Sequence, residues 1–67
     1  MKYKHGGIIW SVGIGEDNAT PFLVVDTTFD SVKLFNLEDS DVINILARHL
    51  DGMLEDMSQN LYYEDPP

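Results

Sequence analysis

A handful of side chains could do chemistry in this chain. Asp51 and Glu55 stand four residues apart, the spacing that brings two side chains together on one helix face, and a carboxylate pair so placed is a candidate for acid–base work. His5 and His49 are the two imidazoles. A hydrolytic triad would need one of them between an acid and one of Ser11, Ser31, Ser40 or Ser58, or a threonine. None of these serines sits in a nucleophile-elbow pattern, and there is no cysteine to act as nucleophile or thiolate ligand. The histidines lack the companions a zinc site requires. Asp26-Thr27-Thr28-Phe29-Asp30-Ser31 has two acids of a calcium loop but neither its central glycine nor its closing glutamate. Gly13-Ile14-Gly15 is a fragment of a dinucleotide fingerprint with no further glycine on a following helix. With 67 residues there is little room for a substrate cavity of several hundred Å3. The residues therefore predict no catalytic site, no cofactor and no metal.

The charge is uneven. Residues 1–37 hold Lys2, Lys4 and Lys33 against Glu16, Asp17, Asp26 and Asp30, a net of −1. Residues 38–67 hold Arg48 against Glu38, Asp39, Asp41, Asp51, Glu55, Asp56, Glu64 and Asp65, a net of −7. Such a surface repels nucleic acid and anionic lipid and attracts basic proteins, although excess charge also serves solubility alone. No run reaches the roughly 18 apolar residues of a membrane span. Ile8 to Ile14 is too short, and too broken by Ser11 and Gly13, for a signal sequence, so a cytoplasmic location is expected.

The elements that would position these residues follow from periodicity. Tyr3 to Ile14 alternates Ile8, Trp10, Val12 and Ile14 with Ile9, Ser11 and Gly13, which predicts a strand whose large residues share one face. Gly6-Gly7 marks a bulge or a close approach. Gly15 to Pro21 predicts a turn, Phe22 to Thr28 a second strand, Phe29-Asp30-Ser31 a turn and Val32 to Leu37 a third strand. Phe22-Leu23-Val24-Val25 is apolar without interruption, as in a strand covered on both faces. From Glu38 to Met57, Val42, Leu46, His49, Leu50, Met53, Leu54 and Met57 recur at steps of three and four, which predicts one amphipathic helix capped by Asn36, Asp39 or Ser40. Glu38, Asp39 and Asp41 would then offset its dipole, and Gly52 in its interior would cost about 1 kcal/mol against Ala, with the apolar register carrying straight through it. The expected fold is α+β: a three-stranded antiparallel meander with this helix packed on the Ile8, Trp10, Val12, Ile14 face. It forms a single domain over residues 1–60, followed by an acidic, flexible tail over 61–67.

On that helix Asp51, Glu55 and Asp56 lie where the dipole disfavours them, and Asp51 repels Glu55. With Asp41 they are the expected contacts to a basic partner protein, nucleic-acid-binding proteins among the candidates. The corresponding function is a small inhibitor or regulator of the phage or mobile-element kind, mimicking nucleic-acid charge. Ile45, His49 and Gly52 form a stripe beside the apolar face suited to close approach by another chain. The competing expectation is a non-catalytic structural or adaptor subunit working as a homo-oligomer, a homodimer being the simplest.

Overall fold

The chain reverses where short polar side chains bond to nearby backbone. Thr28 N–H donates to the Ser31 carbonyl at 2.9 Å, and the two hydroxyls lie 2.6 Å apart, closing one tight turn. Asn36 closes the next. Its Oδ1 accepts the N–H groups of Glu38 at 2.8 Å and Asp39 at 3.1 Å, and its own N–H reaches the Asp41 carbonyl at 2.7 Å. Ser40, with φ at 62°, takes the left-handed position that lets the strand return. Asn36, Asp39 and Ser40 are thus hairpin residues, not helix caps, and Glu38, Asp39 and Asp41 lie in a loop instead of a first helical turn.

The computed structural model describes residues 2–12 and 19–67. The elements are β1 (Ile8–Val12), β2 (Ala19–Thr27), β3 (Ser31–Asn36), β4 (Val42–Leu46), α1 (Ala47–Glu55), one 3-10 turn (Met57–Gln59) and β5 (Leu61–Glu64). All neighbouring strands are antiparallel, in the order β4-β3-β2-β1-β5. The fold is a five-stranded antiparallel sheet with one helix, a β-rich α+β arrangement, which corrects the three-stranded expectation. Gly13, Ile14 and residues 15–18 of the turn expected from Gly15 to Pro21 lie outside the described residues, and Ala19, Thr20 and Pro21, expected in that turn, belong to β2.

Both extra strands come from residues assigned to other structure. Val42 and Leu46 are four apart, as on a helix, but they also share a side in a period of two, with Ile43 and Ile45 on the other. The β-branched side chains of Val42, Ile43 and Ile45 favour the pleat, and the Asn36 turn delivers them to the free edge of β3. The helix therefore starts only at Ala47, whose N–H donates to the Asp30 carbonyl at 2.8 Å; Leu46 offers no side-chain cap. It runs through Gly52 and stops at Asp56, which is extended and accepts from Ser58 N–H at 3.0 Å and Ser58 Oγ at 2.7 Å. Asn60, left-handed at φ 52° and ψ 48°, then turns the expected tail into β5 beside β1.

The core lies between helix and sheet: Tyr3, Ile9, Val24, Val32, Leu34 and Leu50 are buried. Register places Ile9 opposite Phe22 and Tyr63, so these share the helix-facing side. Trp10 lies opposite Pro21 and Tyr62 and points the other way. The predicted strand face is therefore inverted: Ile9, not the Ile8, Trp10, Val12 set, meets the helix. Tyr3 fastens the layers together. Its ring meets that of Tyr63 edge-on at 5.2 Å, and its hydroxyl donates to Asp51 on α1 at 2.5 Å. Gly7 allows this, because a Cβ there would sit 2.6 Å from the Tyr63 hydroxyl oxygen and 2.7 Å from a ring carbon.

Two outcomes test this arrangement. Leu50→Ala should cost about 2–5 kcal/mol in urea unfolding, as expected for a fully packed leucine. Deleting residues 61–67 should remove the cooperative transition or lower its midpoint strongly; a truncated chain that melts like the full one would mean that β5 contributes nothing.

Candidate functional site: the uncovered sheet face

Antiparallel register lines up side chains across the sheet. Val42 on β4 stands opposite Phe35 on β3, Phe35 opposite Leu23 on β2, Leu23 opposite Ile8 on β1, and Ile8 opposite Glu64 on β5. All point away from α1, so four strands contribute one continuous apolar row that ends at a carboxylate. A second row holds Pro21, Trp10 and Tyr62. The opposite end of the face is polar, with Asp26, Lys33 and Asn44 in line. Every buried strand residue belongs to the helix side; Ile8, Trp10, Leu23 and Phe35 are partly exposed, and Val42 and Tyr62 are 53% and 60% exposed. Among the described residues no element packs over this face.

Trp10 is held in place. Its Nε1–H donates to Glu64 Oε2 at 3.0 Å, which satisfies the one polar group of the indole and leaves an apolar ring for contact. These face residues were legible only in part. The unbroken Phe22 to Val25 run signalled a two-sided strand, but the helix was expected on the Trp10 side.

The acids expected to bind a partner fall into two groups. Asp51 accepts from the Tyr3 hydroxyl and pairs with Lys2 Nζ at 3.2 Å, and these contacts hold its carboxyl below the ordinary carboxylate range. Asp56 caps the turn into the 3-10 segment, and its bonds from Ser58 lower its carboxyl likewise. Asp41 and Glu55 are exposed; Glu55 shares α1 with Asp51 and adjoins Asp56 at its end, whereas Asp41 stands apart on the loop before β4, so the four do not lie on one helix. Ile45 sits on β4, on the helix-facing side, packed against the core; His49 and Gly52 are exposed on α1. The stripe expected from these three does not exist. A Cβ on Gly52 would meet nothing within 4 Å, so this glycine answers no need for space inside the fold.

An apolar cleft of about 120 Å3 opens between helix and sheet beside Phe22, Ile43 and Met53, well short of the roughly 300 Å3 at which small-molecule sites begin. Two larger surface clefts, of about 260 and 270 Å3, lie along the Asp56–Tyr62 turn and at the start of α1. No cluster of three His, Asp or Glu side chains suited to a metal occurs among the described residues. No helix among them is long and apolar enough to cross a membrane. Compared with protein-family models, with curated proteins and with solved structures, the chain matches none.

The Tyr3–Asp51 contact has a pH signature at both ends. Asp51 binds its proton less tightly folded than unfolded, so its stabilisation is present above the ordinary value of 3.8 and fades as pH falls below it. Burial, then the Asp51 bond, raises the Tyr3 hydroxyl above its ordinary 10.0, so stability is also lost as pH climbs past that value. Urea midpoints should therefore fall less steeply below pH 4 in Asp51→Asn than in the wild type, and Tyr3→Phe should flatten the alkaline loss.

Proposed function

We propose that this chain is a non-catalytic, cytoplasmic protein–protein interaction module and that its working surface is the uncovered sheet face. The row Val42, Phe35, Leu23, Ile8 carries the proposal. An antiparallel sheet that meets water on one side ordinarily alternates apolar-in with polar-out. Here both sides of the central strands are apolar, while the helix covers one. Contiguous apolar surface of this kind marks a binding site, and the aromatic types on it are those concentrated at interface centres.

A second reading keeps the basic partner. The net charge of −7 over residues 38–67 supports a regulator that captures a basic protein, a nucleic-acid-binding one included, by electrostatic steering. The exposed Asp41 and Glu55 are its free acids; Asp51 and Asp56 already serve the fold.

Partner capture from the native host, at low and at high salt, separates the readings. Leu23→Thr/Phe35→Thr should lose the captured partners at both salts. Asp41→Asn/Glu55→Gln should lose them only in part, and only at low salt. The reverse ranking would hand the function to the acidic surface.

A further inference from the structure

We infer that the occupant of the uncovered face is a second copy of this chain, packed sheet on sheet about a two-fold axis. The inference rests on reading that face as the contact surface, and adds what covers it. Size permits it. A body of 35 × 24 × 23 Å with 4639 Å2 of accessible surface offers, on one broad side, the roughly 800 Å2 per partner of a standard interface.

Charge permits it as well. The chain carries −8, which opposes self-association unless the acids are kept apart. Ionisable side chains on the strands of this face are Asp26, Lys33 and Glu64. Asp26 stands opposite Lys33, and Glu64 is engaged by Trp10. The row Val42, Phe35, Leu23, Ile8 itself carries no charge, with Asp26 and Lys33 at the polar end of the face and Glu64 at its β5 edge, and homodimer interfaces are likewise more apolar than other contacts. Asp51, Glu55 and Asp56 belong to the helix layer and its end, on the far side of the sheet. In a helix–sheet–sheet–helix stack the two helices stand on the order of 30 Å apart, several Debye lengths at physiological salt. A 67-residue chain without disulfides also gains most from burying a second apolar layer against its own copy.

Sedimentation velocity and light scattering on the full chain, across a concentration series, test this. The expected result is a species of twice 7.6 kDa whose population rises with concentration and changes little with salt. Leu23→Lys/Phe35→Lys should yield the monomer. Tyr62→Lys, a change at a side chain already 60% exposed and so mild for the fold, should weaken association by about tenfold or more. Far-UV circular dichroism checks that each variant stays folded, and Glu55→Gln should leave association unchanged. A wild-type chain that is monomeric at every concentration overturns the inference, as does a dimer indifferent to Tyr62→Lys. If the monomeric wild type still loses captured partners on Leu23→Thr/Phe35→Thr, a different protein covers the face, and the interaction module stands without its second copy.

Discussion

Nine helical residues cannot cover both sides of a five-stranded sheet. That constraint shapes the rest of the molecule. The central strands carry apolar side chains on both sides: Phe22 and Val24 face the helix, and Leu23 faces away between Ile8 and Phe35. One helix resolves half of this. Leu50 goes under it almost completely, at 1% exposure, and the buried set forms around that contact. The other half, the row from Val42 to Ile8 with Trp10 and Tyr62 beside it, is left without a covering element among the described residues.

The helix has little intrinsic claim to its place. Its first turn carries no acid and its last no base, the reverse of what the macrodipole favours, and its N-terminus lacks a side-chain cap. Tertiary contacts hold it instead. Tyr3 reaches from the N-terminal segment to Asp51, stacks edge-on with Tyr63 of β5 and lies beneath Lys2, whose Nζ is 5.3 Å from its ring centre. One aromatic side chain thereby ties both ends of the chain to the helix. This also accounts for the acids: Asp51, poorly placed for the helix alone, is well placed for Tyr3.

How much could be read from the sequence follows from how many structures each local pattern satisfies. β2 and β3 were legible because β-branched residues flank turns with polar side chains, and Val32 and Leu34 do share a face as expected. The C-terminal part of the helix was legible through Leu50, Met53 and Leu54. Residues 42–46 satisfy helical and strand periodicity at once, and only the neighbouring edge of β3 decides between them. β5 is short, and its cue, Asn60 before Leu61-Tyr62-Tyr63, resembles a terminal tail until β1 is known to need a neighbour. The side of β1 is not legible from side-chain size, which favours burying Ile8, Trp10 and Val12 over Ile9 and Ser11. Trp10 instead faces outward with Ile8, and that inversion is the same fact as the apolar open face. The acidic contacts expected on one continuous helix were scattered by the break at Leu46, so Asp41 and Glu55 now stand on separate elements.

The single tryptophan lies on the open face, so its fluorescence reports directly on whether that face becomes covered. The central claim is that the row beside Trp10 is a contact surface that a second copy fills. Emission and acrylamide quenching, measured from dilute to concentrated protein, test it most directly. Emission should shift to the blue and quenching should fall as concentration rises, with both changes lost in Tyr62→Lys. Emission and quenching that stay those of a partly exposed indole at every concentration would contradict it.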